Sequence, residues 1–211
     1  MKGLLLNSII VLCLILCGCG RHPYKNSIQS SEQSSFTLPD GIVQDTAVFY
    51  KTSVRTYGKS LSGILGLRKK NDTLLVTFFS EMGLRFFDIS ISKDTFEVKD
   101  CLPQLRSRAV IQTIVSDLRT AFLWDTDLYT HKTLFYQNKR PIIRFTYKND
   151  WIFAEPGLDN TLTSIAYTYG RKYKLKYTIH YTEYAGIYAR QILIKHANFN
   201  LEIRLSLFKF T

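Results

Sequence analysis

Apolar and polar residues alternate along most of the chain from about residue 46 to the C-terminus. Alternation with a period of two places successive side chains on opposite faces of a β-strand. The pattern predicts strands at 47–57, 60–70, 74–80, 84–91, 95–99, 128–137, 142–148, 151–155, 162–169, 172–184, 187–197 and 199–210. The connections between them are short, which favours antiparallel pairing of neighbours because parallel strands need long crossovers.

The segment after Pro103 departs from this alternation and predicts an amphipathic helix. Its apolar residues recur at helical spacing on one face, at Val110, Ile111, Ile114, Val115, Leu118 and Phe122. The other face largely carries Arg106, Arg108, Gln112, Ser116 and Arg119. Pro103 is suited to the first turn of this helix, where its missing N–H costs no hydrogen bond.

The strand predicted at 172–184 indicates how the strands are arranged. One of its faces carries Tyr173, Leu175, Tyr177, Ile179 and Tyr181, and the opposite face is polar. A series of hairpins with one apolar side has to curl in order to cover that side. We therefore expect a mainly β fold with at least one α-helix, an antiparallel half-open β-barrel whose helix lies across the apolar concavity as a lid.

The first residues predict export rather than a membrane span. Met1 and Lys2 precede an apolar run over 4–16 that is shorter than the ~20 residues a transmembrane helix needs. A basic start, an apolar middle and a small-residue exit are typical of a secretory signal peptide. The exit, Leu16-Cys17-Gly18-Cys19, resembles the bacterial lipobox. By that resemblance residues 1–18 are removed and Cys19 is lipidated, the alternative being a soluble exported protein that is cut elsewhere.

Beyond Cys19 the chain divides into a linker and one domain. Residues 19–45 are rich in Ser, Gln and Asn and show no apolar period, so we expect a flexible tether behind the lipidated cysteine. Residues 46–211 are predicted to form a single β domain. Its interior has to be stabilised by apolar burial, because Cys101 is the only cysteine outside the predicted signal and lipid anchor and has no partner for a disulfide.

The charge balance narrows the choice of partners. The chain has 28 Lys and Arg against 17 Asp and Glu, a formal net charge of +11. A chain this basic attracts anionic groups, and for an exported lipoprotein these are headgroups of membrane lipids rather than nucleic acid. We expect no nucleic-acid partner.

Motifs for catalysis and metal binding are missing from the sequence. The pair Cys17-x-Cys19 has no second pair downstream, and His22, His131, His180 and His196 lack the spacing of metal ligands. There is no phosphate-binding loop around Lys59 and no G-x-S-x-G motif. Glu81 and Asp88 have plainer interpretations, as a turn residue and as a partner for a nearby Arg. We expect no enzyme activity, no metal and no cofactor.

Residues 61–91 carry a resemblance to a known family. The segment LSGILGLRKKNDTLLVTFFSEMGLRFFDISI joins a Ser-Gly-Ile strand at Ser62 to Lys70 to a Glu-x-Gly turn at Glu81 to Gly83, and a proline-led helix follows. This order resembles the lipoprotein-localisation fold of LolA and LolB. The resemblance implies an incomplete antiparallel barrel, closed by helices around an apolar cavity for acyl chains. In the LolB-like branch a protruding hydrophobic loop aids delivery, and Leu158 is the nearest candidate for it.

On this interpretation the walls of the cavity come from the first strands and from the apolar face of the helix. The predicted acyl-chain site consists of Leu61, Leu65, Leu67, Leu75, Phe79, Phe87, Ile89, Val110, Ile111, Ile114, Val115 and Leu118. The helix residues have a second interpretation as ordinary core, and in a half-barrel with a lid the core and the ligand site share a wall.

Two functions from different classes follow. The favoured one is an outer-membrane lipoprotein, monomeric and anchored through acylated Cys19, whose cavity binds acyl chains of lipid or lipoprotein in lipoprotein localisation or envelope maintenance. The alternative is a non-catalytic interaction module of an envelope protein complex, with a solid interior. The presence of a hollow core would discriminate between them.

Overall fold

Thirteen strands form one sheet. The computed structural model describes residues 24, 27–30, 41–92, 95–122, 130–147, 149–157, 161–170 and 173–211, and of residues 130 and 131 the backbone alone. The strands are β1 (Ile28–Gln29), β2 (Ala47–Thr56), β3 (Lys59–Lys70), β4 (Thr73–Phe79), β5 (Arg85–Ile91), β6 (Phe96–Cys101), β7 (Thr130–Gln137), β8 (Arg140–Tyr147), β9 (Asp150–Pro156), β10 (Leu162–Tyr169), β11 (Lys174–Ala185), β12 (Tyr188–His196) and β13 (Leu201–Phe210).

The sheet is antiparallel throughout its named strands and has two open edges. Its order is β1-β7-β8-β9-β10-β11-β12-β13-β2-β3-β4-β5-β6, so neighbours in sequence are mostly neighbours in space. The terminal strand β13 pairs with β2, which joins the two halves of the meander. The predicted fold class is confirmed: the molecule is a half-open antiparallel barrel. Strand β1 was not predicted, because two residues are too short to show a period.

The sheet curls around one helix, α1 (Arg108–Phe122). Buried residues from α1, from β2 to β5 and from β8 to β13 belong to one continuous apolar cluster. Strands far apart in the sheet can share a cluster only where their inner faces approach one another across the concave side. The helix lies in that concavity, as predicted for the lid.

The start of α1 differs from the prediction. Pro103 opens a separate 3₁₀ turn, Pro103–Leu105, and α1 begins five residues after it, at Arg108. The side chain of Ser107 accepts a hydrogen bond from Val110 N at 3.3 Å, and its carbonyl accepts one from Ile111 N. Ser107 is therefore the N-cap of α1, and Pro103 provides a first turn only for the 3₁₀ segment.

A bulge between β10 and β11 changes the predicted faces of β11. Tyr167 pairs with Tyr177, but the next residue, Thr168, pairs with Leu175, so the register shifts at this point. Tyr177, Ile179 and Tyr181 are buried on the inner face, as predicted. Leu175 and Tyr173 instead pack against a second apolar cluster that includes Phe153 and Tyr24. An extra residue in one strand reverses the alternation beyond it.

The described part of the predicted tether contacts the domain. The Tyr24 hydroxyl donates a hydrogen bond to Glu155 Oε1 at 3.0 Å, and its ring lies 4.9 Å from that of Phe153. Strand β1 pairs with β7. Ile42 is 1% exposed within the inner cluster. The division of the chain at residue 46 stays a prediction, but parts of 24–45 cover the sheet.

The predicted signal peptide and Cys19 lie outside the described residues. Within the described part of the chain, no helix combines the length and the apolar character required to cross a bilayer.

Gly63, the glycine of the Ser-Gly-Ile segment, has a steric reason to be glycine. It lies on β3 where a Cβ atom would sit 2.2 Å from the carbonyl oxygen of Phe79. Backbone cannot yield as a flexible side chain can, so β3 and β4 would have to separate. A Cβ at Gly66, on the same strand, would meet the ring of Phe49 at 3.2 Å and the carbonyl oxygen of Thr77 at an ordinary contact distance of 3.8 Å.

We therefore expect Gly63→Ala to lower the free energy of unfolding by about 2 kcal/mol or more, the scale of strain at a site with no room. The control, Gly66→Ala, should cost clearly less, because the Phe49 ring can turn. Urea unfolding followed by tryptophan fluorescence measures both. Equal stability of the two variants would contradict this explanation.

Candidate apolar ligand site

A cavity of about 640 Å³ lies between the inner face of the sheet and α1, and it is partly open to solvent. Its volume falls within the range of small-molecule sites, ~300–1,000 Å³. Strands β2 to β5 form one side, α1 and the 3₁₀ turn a second, and β12 and β13 a third. The lining residues are Thr52, Val54, Thr56, Lys59, Leu61, Leu65, Phe78, Phe87, Gln104, Leu105, Ala109, Val110, Thr113, Ile114, Asp117, Leu118, Ile194, Phe199, Leu201, Ile203 and Leu205.

Half of the predicted site residues line this cavity. They are Leu61, Leu65, Phe87, Val110, Ile114 and Leu118. Four others are buried in the apolar cluster without facing the cavity, namely Leu67, Ile89, Ile111 and Val115. These four support the wall from behind. Contact of any of the twelve with a ligand stays a prediction.

The remaining two predicted residues, Leu75 and Phe79, are on the opposite face of β4. Along this strand Leu74, Val76 and Phe78 are buried, and the residues between them are half-buried. Phe78 is the residue of β4 that lines the cavity. The alternation was predicted correctly but assigned to the wrong side of the sheet, since a strand with apolar residues at both parities leaves its inward face undecided.

The wall contributed by β12 and β13 was not predicted. Ile194, Ile203 and Leu205 line the cavity, more than 70 residues along the chain from α1. These strands reach β2 because Leu201 pairs with Thr56 and Phe210 with Val48. Their apolar alternation was visible in the sequence, but their position next to β2 depends on the closing of the sheet, for which the sequence carries no local signal.

The mouth of the cavity lies at one end of the sheet. The exposed lining residues Lys59 and Phe199 border the β2–β3 and β12–β13 connections, and exposed Gln104 and Ala109 border the start of α1. Lys59 contributes a cationic side chain to this opening, beside Phe199, Ala109 and the polar Gln104. Such an opening suits a molecule with an apolar body and an anionic end.

Tyrosines of β11 attach α1 to the sheet. The Tyr177 hydroxyl lies 2.7 Å from Thr120 Oγ1 and 3.2 Å from Ser116 Oγ. The Tyr181 hydroxyl donates a hydrogen bond to Ala121 O at 2.8 Å. Burial raises the pKa of Tyr177 well above its usual value, so its hydroxyl stays protonated. These bonds fix α1 between Ser116 and Ala121, while the stripe from Ala109 to Leu118 borders the cavity.

One polar pair is buried at the cavity wall. His196 Nε2 lies 2.9 Å from Asp117 Oδ2, and both side chains are almost fully buried. Burial raises the pKa of the Asp117 carboxyl, and the bond to His196 counteracts this only in part. His196 was predicted to be a surface or strand residue. It does end β12, but its side chain is buried and paired rather than at the surface.

The other polar residues that were considered for catalysis or metal binding do not form a reactive site among the described residues. Asp88 lies 3.9 Å from Arg85, and Glu81 is part of the β4–β5 turn, as predicted for both. His180 is exposed, His22 lies outside the described residues, and so does the side chain of His131. Cys101 is a buried thiol whose pKa is raised by burial. Among the described residues, no group of three or more His, Cys, Asp or Glu is arranged to hold a metal ion.

An exposed apolar turn stands at the same end of the sheet as the mouth. Met82 is 97% exposed and Leu84 is 57% exposed, both in the β4–β5 connection. This connection and the β2–β3 turn share an end, because β3 and β4 are antiparallel. Leu158, the residue suggested for a protruding loop, lies outside the described residues. The sequence predicted the turn at Glu81 to Gly83 but assigned Leu84 to the following strand, so the exposed apolar pair Met82 and Leu84 was not recognised.

Comparison with one solved structure supports the fold. A crystal structure described as an outer membrane lipoprotein-sorting protein domain, from Vibrio parahaemolyticus, is similar with a TM-score of 0.51 and 10% identity, over 80% of this chain and 85% of that one. A DUF1329 family protein from Desulfovibrio piger aligns with a TM-score of 0.47 and 11% identity, over 79% of this chain and 85% of that one. No protein-family model and no curated protein matches the sequence.

The class of fold is thereby defined. The half-open barrel with its helical lid is a LolA/LolB-like fold, as the resemblance of residues 61–91 predicted. At 10% identity the similarity concerns the fold alone, and a fold can host unrelated functions. What this chain does has to be argued from its own cavity.

Proposed function

We propose that this protein is a monomeric outer-membrane lipoprotein, anchored through acylated Cys19, that holds an acyl chain of a lipid or lipoprotein in its cavity. The observation that carries the proposal is the hollow interior: a space of about 640 Å³ lined mainly by apolar side chains. Each CH₂ group that moves from water into such a space contributes ~0.8 kcal/mol. No catalytic step is needed, and lipoprotein localisation or envelope maintenance is the process it serves.

The alternative, a solid interaction module, is less favoured because the interior contains this cavity. The similar crystal structure is described as a lipoprotein-sorting domain, which supports a lipid or lipoprotein as the cargo. The basic character of the chain, +11 overall, supports a site of action at anionic membrane lipids. In this proposal residues 1–18 are the signal, 19–45 the lipidated linker and 46–211 the binding domain.

Filling the cavity should abolish binding. In the chain from residue 20 to 211, Leu61→Trp combined with Ile114→Trp places two large rings inside it, one from the sheet and one from α1. We expect at least tenfold weaker binding of a fluorescent fatty acid, measured by titration.

The matched control is Leu75→Trp combined with Gln112→Trp, on the same sheet and helix but outside the cavity lining. It should bind as the unmodified chain does. If the unmodified chain binds no fatty acid, or if the filled cavity binds normally, acyl chains are not held in this space.

The exposed β4–β5 turn is proposed as the point of contact with the membrane. Met82 and Leu84 offer apolar surface to the lipid interface, and Arg85 follows directly. Replacing both by Asp puts two carboxylates where apolar groups and anionic headgroups would meet. We expect Met82→Asp with Leu84→Asp to reduce binding of the 20–211 chain to anionic vesicles several-fold in a flotation assay.

Ile187→Asp is the control for this substitution. Ile187 is 47% exposed but sits in the β11–β12 turn, at the other end of the sheet. Its replacement should leave flotation unchanged. Equal loss in both variants would mean that the effect comes from net charge and not from the position of the turn.

Lipidation can be tested on the full chain. Cys19→Ala removes the thiol that would carry the lipid, so we expect incorporation of labelled palmitate in expressing bacteria to be lost. Cys17→Ala, two residues earlier in the same segment, should keep the label. Palmitate on the Cys19→Ala chain would rule out this cysteine as the anchor.

A further inference from the structure

The wall of the cavity contains one buried carboxylate. Val110, Thr113, Ile114, Asp117 and Leu118 form the stripe of α1 that lines the cavity. Asp117 is 1% exposed. A carboxylate in an apolar wall is costly to bury unless its oxygens are hydrogen-bonded, so its partners have to be accounted for.

Within the part of the chain that the structure describes, only one of its oxygens has a hydrogen-bond partner. Asp117 Oδ2 lies 2.9 Å from His196 Nε2, while Asp117 Oδ1 and His196 Nδ1 are buried without a hydrogen bond to any described residue. When the carboxylate is ionised and Nε2–H donates to it, Oδ1 remains an acceptor only. Among the described residues, Asp117 Oδ1 therefore lacks a hydrogen-bond donor.

The groups around the pair do not supply that donor. The Tyr177 hydroxyl is engaged with Ser116 and Thr120, and its ring lies 5.1 Å from the imidazole of His196. The ring of Phe199 covers the imidazole at 4.5 Å. Lys176 is the other charged group that faces Asp117, and its charge lowers the pKa of the carboxyl, but its ammonium lies over the rings of Tyr167 and Tyr177.

We propose that Asp117 Oδ1 accepts a hydrogen bond from the cavity's ligand, so that the site selects acyl chains bearing a hydroxyl or an amide N–H over unsubstituted chains. The inference rests on the proposed function and refines its substrate class. An unsubstituted chain has no donor and would leave this buried oxygen unsatisfied. A donor on the chain would complete the carboxylate and gain a hydrogen bond to a charged acceptor, which is stronger than a neutral one.

Competition between chains of equal length tests this selection. The full chain, purified in detergent and stripped of lipid, is incubated with equal amounts of palmitic acid, 3-hydroxypalmitic acid and N-palmitoylglycine. Bound acids are counted by mass spectrometry after gel filtration. We expect about tenfold enrichment of at least one donor-bearing acid over palmitic acid, the ratio for a hydrogen bond of this kind. Which of the two is enriched identifies the donor as hydroxyl or amide.

The variants separate Asp117 from the rest of the wall. Asp117→Leu should reduce the enrichment to about one while palmitic acid still binds. Asp117→Leu combined with His196→Leu removes both members of the pair, which protects against unfolding caused by an unpartnered imidazole. Gln112→Leu is the matched control, on the exposed face of the same helix and outside the cavity lining, and it should leave the enrichment unchanged.

Each outcome decides between the two proposals. Equal binding of the three acids by the unmodified chain overturns the role of Asp117 and leaves acyl-chain binding intact. Enrichment that persists without Asp117, in the single or the double variant, also overturns it, because another group then recognises the donor. Failure to bind any of the acids overturns both.

Discussion

The structure depends on one helix covering the apolar face of a wide, curled sheet. The second half of α1 is held tightly: Tyr177 and Tyr181 bond to it, and the ring of Phe122 lies 5.5 Å from that of Tyr50. There the interior is nearly filled, with a pocket of about 30 Å³ beside Tyr50 and Phe122. Toward the start of α1, no second helix fills the space above β2 to β5 in the described part of the chain, and the cavity remains. The cavity therefore exists because α1 covers only part of the inner face of the sheet.

The same constraint explains why so much of the fold could be predicted. A sheet that is wet on one face shows a period of two in every strand, and the predicted strands match those of the structure from β2 to β13 to within a few residues. The helix stood out because its period differs. The first residue of the helix was harder to predict. Both Pro103 and Ser107 are suited to the start of a helix, and which of them begins α1 depends on the path of the chain after β6.

Predicting which face of each strand points into the barrel was less successful than predicting the strands themselves. Periodicity tells which residues share a side, but the inward side has to be fixed by packing. Leu75 and Phe79 were therefore placed in the wall although Leu74, Val76 and Phe78 point inward. In β11 a bulge reversed the parity at Leu175. Both errors arise where apolar residues occupy both faces of a strand. At Leu175 the outer face carries an apolar cluster of its own, which includes Phe153.

The pairing of Asp117 with His196 could not be predicted from the sequence around either residue. Asp117 and His196 are 79 residues apart and meet only because β12 closes against α1. A partial signal did exist: Asp117 stands three residues after Ile114 and seven after Val110, on the helical stripe that was predicted to be apolar. A charged residue at such a position indicates either a buried partner or a ligand. Here His196 pairs with one oxygen, and the other oxygen has no hydrogen-bond partner among the described residues.

The antiparallel register also places the mouth of the cavity and the exposed apolar turn at the same end of the sheet. Since Leu201 pairs with Thr56, the β12–β13 connection stands at the same end as the β2–β3 turn, and β4 returns to that end with Met82 at its tip. The mouth and the exposed apolar turn therefore face the same way without any rearrangement. A bilayer that takes up Met82 and Leu84 would meet the opening beside Lys59, so that an acyl chain could pass between lipid and cavity with little exposure to water. At the opposite end, Ile187 lines a separate and much smaller pocket of about 30 Å³.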